Sequence, residues 1–444
     1  MRISGLFAKI TATALVLTIS AFAFFAFSQE IPKSSDEIRV GISYGASSSD
    51  TVEIKSDCGF DIASAQSDFQ HYDVSSVIGK ASSSGITLST KLGGNILSAA
   101  KGQEIIISNE NALLTVGNTS YRGKIILFIN SSGKITVVNK LPVDDYLKGV
   151  LPYEVFTSWP EETLKAMAIV ARTYAVKAMI SSSHASDGFD ICASTHCQSY
   201  GGTAKETERT NNAVLETSGC IITYNNEVAT TPYFSSAGYY TESVSSGWGS
   251  SAELFPYLTS VYNPYEDYRR ITNGKWENVV SKNDVINHVS SFYREKLSGN
   301  ITDISYERQE NGYINSASIT DSSGKTIKLN TSSSVRSFFG DLVKSANFGI
   351  AETYVPSGRS TPAVTVISAN GTYEMTNIGG YDYIDSEGQK KCLGVESVYV
   401  FDGKGSGHGI GLSQYGAKYM ADAGFSYEEI ISTYFPGTEL SYLE

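Results

Sequence analysis

The sequence predicts an α+β protein with a mixed strand and helix core, a β-rich N-terminal part and an α/β insertion. Three observations lead to this class. Short alternating segments dominate residues 37–138, a helical period begins near Ser158, and both kinds of pattern return over residues 273–356. The chain has 444 residues, which is long enough to hold these parts around more than one hydrophobic core.

Residues 37–116 form the β-rich part. Apolar and polar residues alternate there over short stretches that Ser, Gly and Asp residues separate, as expected of strands joined by turns. The alternation continues over residues 124–138, which are predicted to form a hairpin around Ser131, Ser132 and Gly133. The other predicted strands are EIRVGISYG, TVEIKS, GITLST, EIIIS and ALLTV.

A long helix is predicted to follow these strands. Ser158 and Glu161 have the spacing of a capping box, and Pro160 suits the first turn of a helix. Apolar residues then recur every three or four positions, which predicts an amphipathic helix with one buried face. The residues assigned to that face are Leu164, Met167, Ala168, Ala171, Tyr174, Ala175 and Ala178.

The second half of the chain divides by pattern. Residues 273–356 are predicted to be an insertion with helices over 282–297 and 334–342 and a hairpin over 313–329. After it come a Gly-rich loop over 403–411, a helix over 412–423, and a second helix whose capping box is Ser426 and Glu429. The predicted parts are 1–30 (export segment), 37–116 (β-rich), 117–272 (core), 273–356 (insertion) and 357–444 (return to the core).

The N-terminus and the net charge narrow the possible partners. Arg2 and Lys9 precede an uncharged, largely apolar run over residues 10–27, which is the pattern of an export signal. A cleaved signal peptide and a retained membrane anchor both fit, and both place the chain outside the cytoplasm. The net charge of −12 argues against a nucleic-acid partner, because phosphate contacts need concentrated Lys and Arg.

Glu154 is an isolated carboxylate with apolar and aromatic neighbours. We expect it in a turn just ahead of the long helix, flanked by Tyr153, Phe156 and Trp159. An apolar setting disfavours the charged form of a carboxyl group and raises its pKa, so the group can donate a proton near neutrality. No second carboxylate with comparable neighbours lies close in sequence, which argues against glycosidase chemistry that uses two carboxylates. The alternative is an ordinary surface glutamate.

A second group of residues has the chemistry of a metal site. His184, Cys192, His196 and Cys197 offer two thiolates and two imidazoles, which would complete a closed tetrahedral zinc shell of the structural kind. The spacing differs from that of common zinc fingers. A disulfide between Cys192 and Cys197 is the alternative, which export makes plausible.

Two further segments have compositions suited to ligand binding. The glycines of residues 403–416 permit close backbone approach to a ligand, and His408 and Gln414 offer hydrogen bonds; a plain flexible loop is the alternative. Residues 231–249 are rich in Ser, Tyr and Trp, which suits sugar binding, although an exposed hairpin would have a similar composition.

Taken in order, these segments resemble the stage II sporulation protein D / amidase-enhancer (SpoIID/LytB) family. The resemblance runs from about residue 117 to the C-terminus. The matching stretches are LPVDDYLKGVLPYEV, SWPEETLKAMAIVARTYAV, DICASTHCQSYGG, YFSSAGYYTES, PYLTSV, VRSFFGDLVKS and GSGHGIGLSQYGAKYMADAGFSYEEIISTYFPGTEL. The chain departs from the family at residues 234–238, which lack a His and a Gly found in many members.

The resemblance implies an exported bacterial lytic transglycosylase that acts on peptide-free glycan strands of the cell wall, in sporulation or wall remodelling. Such enzymes cleave between N-acetylmuramic acid and N-acetylglucosamine. They leave an anhydro-muramyl end, because the muramyl sugar itself supplies the attacking hydroxyl. One acid/base group suffices for this chemistry, and the resemblance assigns that role to Glu154.

The resemblance also assigns the remaining site residues. It implies a structural zinc ion held by His184, Cys192, His196 and Cys197. It implies a substrate cleft lined by Arg172, Gln198, Tyr200, His408 and Gln414.

A different class of function stays open. Part of this family is credited with a non-catalytic role, in which a wall-binding protein stimulates an amidase. A wall amidase or a sporulation hydrolase complex would then be the required partner. The apolar setting of Glu154 favours the enzyme.

Overall fold

The computed structural model describes residues 31–64, 67–181, 183–292, 297–356, 364–368, 371–375, 381–384, 390–393 and 395–444. The predicted export segment, residues 1–30, lies outside the described residues. Among the helices that are described, none is both long and apolar enough to cross a membrane.

The N-terminal strands form a seven-stranded sheet together with strands of the predicted core. The pairing is antiparallel except at one edge, where a two-residue strand runs parallel to the first strand of the chain. The predicted hairpin at residues 124–138 is confirmed. In spatial order the strands are Ile191–Cys192, Glu37–Ser43, Ile135–Pro142, Lys124–Ile129, Ile105–Ser108, Phe60–Ser64 and Ser67–Tyr72.

A six-stranded antiparallel sheet accompanies the first sheet. Apolar side chains of both sheets, such as Val77 and Leu88 from this one and Leu127 from the other, share one buried cluster. This cluster crosses residue 116, where the sequence suggested a boundary between parts. The strands, in spatial order, are Thr119–Tyr121, Leu114–Val116, Thr51–Lys55, Ser76–Ser82, Gly85–Thr90 and Asn95–Ala100.

Two helices follow the strand Ile135–Pro142. Helix α1 spans Val143–Glu154, and helix α2 spans Glu161–Ser181. The predicted single buried face of α2 is wrong, because every residue from Ala166 to Thr173 is buried. Other helices and a strand surround α2, so Ile169, Val170 and Arg172 are buried, whereas Tyr174 and Ala178 of the predicted face are only partly buried. Periodicity alone identifies a buried stripe but not how many sides of a helix are covered.

The remaining helices are short. They are α3 Glu208–Glu216, α4 Val244–Trp248, α5 Lys282–Phe292, α6 Ser332–Phe339, α7 Gln414–Asp422 and α8 Tyr427–Tyr434, with 3₁₀ turns at Gly45–Ser47, Ala185–Asp187, Tyr268–Arg270 and Gly340–Leu342. The capping box predicted at Ser426 and Glu429 is present, since each side chain accepts a hydrogen bond from the other's backbone N–H.

Small sheets complete the core and the second half of the chain. The pair Tyr233–Phe234 and Leu412–Ser413 is parallel, which joins two segments far apart in sequence. The others are Glu227–Val228 with Cys220–Tyr224 and Glu439–Tyr442; Lys275–Ser281 with Val395–Lys404 and Phe348–Pro356; Ile301–Arg308 with Ile314–Asp321 and Thr326–Leu329; Val364–Ser368 with Gly371–Met375; and Tyr381–Ile384 with Lys390–Leu393.

A second hydrophobic cluster lies within the region predicted as an insertion. Phe338, Phe339 and Phe348 are fully or almost fully buried in it. Phe401 also belongs to this cluster, because the strand Val395–Lys404 pairs with Phe348–Pro356. The observed architecture confirms the predicted α+β class with a β-rich N-terminal part.

Candidate active site

Glu154 lies at the end of α1 and lines a pocket of about 280 Å³. The expectation that it sits in a turn ahead of the long helix is wrong. Its flanking residues continue α1 through Pro152, and the chain becomes extended only at Val155. The last residue of a helix is held by the helical backbone, which fixes where its side chain points. The other lining residues are Tyr174, Thr195, His196, Cys197, Ser199, Pro232, Tyr233, Trp248 and His408.

Three residues donate hydrogen bonds to the Glu154 carboxylate, and Ser199 does so with its side chain as well as with its backbone. The backbone N–H of Ser199 donates to Oε1 at 2.9 Å, and Gln414 Nε2 lies 3.5 Å from Oε2. The third residue is Tyr233, which donates through its hydroxyl. Gln414 also donates to the Glu154 carbonyl oxygen at 3.1 Å, so it contacts both the side chain and the backbone of the acid.

The pKa of Glu154 is raised above its ordinary value. Burial is the largest cause, because it disfavours the charged carboxylate. The donors from Ser199, Gln414 and Tyr233 act in the opposite direction and do not cancel the effect of burial. A larger fraction of Glu154 is therefore protonated near neutral pH than for an exposed glutamate, as a general acid requires.

Gln198 does not contact Glu154 directly but hydrogen-bonds Tyr233, one of the donors to Glu154. Its Nε2 donates to the Tyr233 hydroxyl and to the Ala171 carbonyl oxygen, both at 3.2 Å. Its Oε1 accepts from the Tyr146 hydroxyl at 3.1 Å. With its amide engaged on both sides, Gln198 holds Tyr233 in place and does not itself line the pocket. Its predicted contact with substrate is replaced by this positioning role.

His408 lines the pocket, but backbone groups occupy both of its ring nitrogens. Nδ1 accepts from the Ile410 N–H at 3.1 Å, so Nε2 carries the proton and donates to the Tyr233 carbonyl oxygen at 3.0 Å. Burial lowers the pKa of His408 to about 4, which keeps the ring neutral. His408 therefore presents a ring face to the pocket, beside Trp248 at 5.4 Å between ring centres, and its nitrogens fix the strand that carries Tyr233.

Arg172 and Tyr200, both predicted to bind substrate, lie in the core. Arg172 is 0% exposed; its Nε donates to Asp144 at 2.8 Å, and its other nitrogens donate to the carbonyl oxygens of Val214 and Cys220. The guanidinium thus joins the first turn of α1 to the end of α3 and to the strand beyond. The Tyr200 hydroxyl donates to Asn139 at 2.6 Å. Both residues are structural because their polar groups are already satisfied inside the protein.

The four predicted metal ligands come together. One ligand atom from each of His184, Cys192, His196 and Cys197 lies within 4.8 Å of every other. His184 Nε2 and His196 Nδ1 each lie 3.3 Å from Cys197 Sγ, and His196 Nδ1 lies 3.6 Å from Cys192 Sγ. Ordinary zinc bond lengths in a tetrahedron place ligand atoms roughly 3.3–3.8 Å apart, and these three distances fall in that range, so the donor set fits a zinc site.

The surroundings of these residues also suit a cation. His184 Nδ1 lies 3.0 Å from Asp187 Oδ2, which is the arrangement that orients metal-binding imidazoles. Cys192 and Cys197 are free thiols. Burial alone would raise the pKa of Cys192, but hydrogen bonds from Ser194 and Tyr44 outweigh it and lower this pKa to about 6, whereas burial raises the pKa of Cys197 to about 12. Two adjacent thiols do not both ionise unless a cation neutralises them.

The four-ligand cluster and the Glu154 pocket share one loop. His196 and Cys197 line the pocket, and Ser199, two residues further on, donates its backbone N–H to Glu154. A cation bound by the cluster would therefore fix the segment that positions the acid. Since all four protein ligands are present, such a site is of the closed, structural kind.

The glycines of the Gly-rich loop were expected to approach a ligand. In the structure they pack closely against other protein atoms. A Cβ on Gly407 would lie 2.7 Å from Phe234, and one on Gly409 would lie 2.7 Å from the Tyr313 ring. Both glycines have positive φ angles, of 112° and 87°. These positions need glycine for space and for backbone conformation, and the result is that His408 is held against the strand Tyr233–Phe234.

Tyr233 and Ser199 were not identified from the sequence. Tyr233 belongs to a segment noted only for its Ser, Tyr and Trp content, and Ser199 acts through its backbone. The signal that selects Tyr233 is its parallel pairing with Leu412–Ser413, which brings it beside Gln414. Such a long-range pairing is not visible in one sequence.

The fold and the site define an α+β protein whose candidate active site is built around one buried carboxylic acid beside a Cys₂His₂ cluster. Residues 131–224 match the SpoIID family, described as stage II sporulation protein. This match contains Glu154 and all four members of the Cys₂His₂ cluster.

Relatives named for amidase enhancement and for sporulation support the same family. The amidase enhancer of Bacillus subtilis (strain 168) is 30% identical over 315 residues, which cover 66% of this chain and 40% of that protein. The stage II sporulation protein D of the same organism is 26% identical over 317 residues, covering 68% of this chain and 76% of that protein. An uncharacterized protein of Brachyspira hyodysenteriae is 27% identical over 359 residues, covering 80% and 81%. These similarities support a role in sporulation or at the cell wall.

Proposed function

We propose that this chain is a lytic transglycosylase that cleaves peptide-free glycan strands of the bacterial cell wall, outside the cytoplasm. The observation that carries the proposal is the Glu154 carboxyl group in its pocket. Its pKa is raised by burial, and donors from three residues orient it. Among the described residues that line this pocket, Glu154 is the only carboxylate, which suits a reaction whose nucleophile comes from the substrate.

The proposed reaction uses Glu154 twice. Protonated Glu154 donates its proton to the glycosidic oxygen between N-acetylmuramic acid and N-acetylglucosamine, and the bond from that oxygen to the muramyl C1 breaks. The resulting carboxylate then takes the proton of the muramyl 6-hydroxyl, whose oxygen bonds to C1 and closes the anhydro ring. Glu154 ends protonated again. No water is consumed.

The groups around Glu154 match the two charge states this reaction needs. Burial favours the protonated acid before the reaction begins. The N–H of Ser199, the amide of Gln414 and the hydroxyl of Tyr233 all donate, so they stabilise the carboxylate that forms after proton transfer. Neutral His408 adds no charge to the pocket and keeps Tyr233 in register.

We further propose that the Cys₂His₂ cluster holds one structural zinc ion. His184, Cys192, His196 and Cys197 would be its ligands, since their distances and chemistry fit a tetrahedral site. When bound, the ion would supply charge neutralisation for two thiolates and a cross-link for the loop that carries Ser199. The acid/base chemistry is assigned to the residues of the pocket alone.

The experiment compares Glu154→Gln with a matched control, Glu110→Gln, on purified peptide-free glycan strands. The introduced glutamine would keep the shape of the side chain but could not donate and regain a proton. We expect cleavage to fall by a factor of about 10² or more in Glu154→Gln and to stay unchanged in Glu110→Gln, which alters an exposed turn residue that does not line the pocket. Equal cleavage by both variants would overturn the assignment of Glu154.

The second candidate is a non-catalytic protein that stimulates a wall amidase. It is favoured by one observation, the name of the amidase enhancer relative, of which this chain spans 40%. In that case neither the wild type nor Glu154→Gln cleaves glycan strands, and both increase the rate of an added wall amidase equally. Cleavage without any amidase present would reject this candidate.

A further inference from the structure

A band of aromatic rings leads away from the Glu154 segment, with a buried ring, Trp159, between the exposed Phe156 and the half-buried Tyr415. Phe156, two residues after Glu154, lies 5.5 Å from Trp159 between ring centres, and Trp159 lies 4.9 Å from Tyr415. Tyr415 directly follows Gln414, which contacts Glu154. Phe156 is 61% exposed, so the band begins with an open aromatic face beside the pocket.

Cations lie close to the next aromatic rings of the band. Helix α7 carries Tyr415 and Tyr419 one turn apart, and the Arg270 guanidinium lies 5.7 Å from the Tyr419 ring centre. Tyr268, two residues before Arg270, stacks edge-on against Tyr239 at 5.2 Å. Lys404 Nζ lies 5.0 Å from the Tyr268 ring centre. We use the name aromatic band for Phe156, Trp159, Tyr415, Tyr419, Tyr268 and Tyr239.

Tyr239, at the far end of the band, has a strained backbone. Its φ angle is 93°, a conformation that bulky residues rarely adopt. Its carbonyl oxygen accepts a hydrogen bond from the Asn263 N–H at 2.7 Å, which holds this conformation. Strain of this kind is concentrated at active sites and ligand-binding sites. At Tyr239 this backbone conformation orients an aromatic side chain, which the preceding residue, Gly238, does not have.

The charges of the band differ from those of the whole chain. The chain has a net charge of −12, but two cations of the band, Arg270 and Lys404, make no ion pair with any carboxylate in the described part of the chain. Their neighbours Arg269 and Lys418 do, with Asp267 at 2.8 Å and Asp422 at 2.5 Å. Lys418 also contacts the band, 4.2 Å from the Tyr419 ring centre, but Asp422 pairs with it, so Arg270 and Lys404 are the cations of the band left for an anionic ligand.

We propose that the aromatic band, with Arg270 and Lys404, binds the part of an anionic glycan strand that extends beyond the Glu154 pocket. Sugar rings have apolar faces that pack on aromatic rings, and muramyl sugars without peptides carry a carboxylate that pairs with cations. A neutral glycan would use the rings alone. We end the band at Tyr239 and Lys404, because the groove that these two residues help to line holds more carboxylates, Glu277, Glu310 and Asp402, than cations, Arg308 and Lys404. The inference rests on the proposed function.

The test measures binding, by isothermal titration calorimetry on the full chain carrying Glu154→Gln, so that strands are not consumed. Two further changes are introduced separately: Phe156→Ala, and Arg270→Gln with Lys404→Gln. The matched controls are Phe69→Ala, a half-exposed phenylalanine of the N-terminal sheet, and Lys91→Gln with Lys101→Gln. The ligands are peptide-free glycan strands and an uncharged N-acetylglucosamine oligomer of similar length.

We expect the double cation variant to bind glycan strands about tenfold more weakly at low salt, with a smaller loss at high salt, and to bind the neutral oligomer unchanged. Phe156→Ala should weaken both ligands by about three- to tenfold. The controls should bind as the parent does. Two outcomes would overturn the proposal. In one, the variants bind the ligands as their matched controls do, which would show that these side chains do not contact the strand. In the other, the parent protein binds no strand at all.

The outcome is separable from that of the proposed function. If binding changes as expected but the wild type does not cleave strands, the aromatic band is retained as a binding surface and the proposed enzyme activity is rejected. Cleavage by wild type together with unchanged binding in the variants would keep the enzyme and reject the aromatic band.

Discussion

For the single residue Glu154, two opposing effects set the pKa of the carboxyl group. Burial raises its pKa, and the donors from Ser199, Gln414 and Tyr233 lower it. Removing one donor should therefore raise the pKa of Glu154 further, because the carboxylate loses a partner that its protonated form does not need.

Tyr233→Phe tests this balance through the pH dependence of cleavage. The reaction begins with protonated Glu154, so kcat/KM should fall as pH rises through the pKa of this group. Loss of the Tyr233 hydroxyl should move that fall to higher pH and lower kcat, since the carboxylate formed in the reaction is less stabilised. The control is Tyr174→Phe, which lines the same pocket. An unchanged profile, or a shift to lower pH, would show that Tyr233 does not hydrogen-bond the acid.

Glu266 is a second buried carboxylate, and its role is to hold the walls of the site. Oε1 accepts from the backbone N–H groups of Ala237 and Gly238 at 2.6 and 3.2 Å. Oε2 accepts from the Ser413 hydroxyl at 2.8 Å. Ser413 in turn caps α7, whose first residue is Gln414. The sequence contains no local sign of this arrangement, since its partners lie 28 to 147 positions away.

Glu266→Ala should destabilise the fold by about 2–4 kcal/mol, because it leaves three buried donors without acceptors. Chemical denaturation measures the loss. Glu266→Gln keeps an acceptor and should lose less. Burial raises the pKa of Glu266, so its contribution to stability falls as pH rises from the unfolded pKa to the folded one, and Glu266→Gln should remove that dependence. A loss in Glu266→Ala no larger than in Glu266→Gln would contradict the account.

At the element scale, local signals predicted what local interactions determine. The hairpin around Ser132 and Gly133 and the capping box of α8 both depend on residues within a few positions, and both are confirmed. The buried surface of α2 was predicted only in part, because its polar residues Thr163, Arg172 and Thr173 are buried through partners elsewhere in the chain. The family resemblance assigns Arg172 to the substrate cleft, whereas the structure places its guanidinium among buried partners.

The loop between α2 and Ser199 should depend on a metal ion for its structure. We expect elemental analysis of reduced protein to find about one zinc per chain, and Cys192→Ser to lower both the zinc content and Tm, the latter by about 3 °C or more. Cys58→Ser, which alters an exposed cysteine outside the cluster, should change neither. Protein without metal that contains a Cys192–Cys197 disulfide would contradict the zinc proposal.

At the scale of the whole molecule, the site depends on segments that the chain brings together from distant positions. Glu154 ends one helix, Tyr233 lies on a strand paired with Leu412–Ser413, and Gln414 begins α7. Glu242 is also buried. It accepts hydrogen bonds from the backbone N–H of Ser243 and from the hydroxyl of Ser332, which begins helix α6. The sequence indicated the acid, the four-ligand cluster and the fold class. Which polar residues face the pocket follows from tertiary packing, and one sequence does not contain it.

The most direct test of the account is the chemistry of the product. Wild-type protein is incubated with peptide-free glycan strands in water labelled with heavy oxygen, and the fragments are analysed by mass spectrometry. We expect anhydro-muramyl ends that contain no heavy oxygen, because the attacking oxygen comes from the sugar. Reducing ends that carry heavy oxygen would show that water is the nucleophile and would contradict the single-carboxyl mechanism built on Glu154.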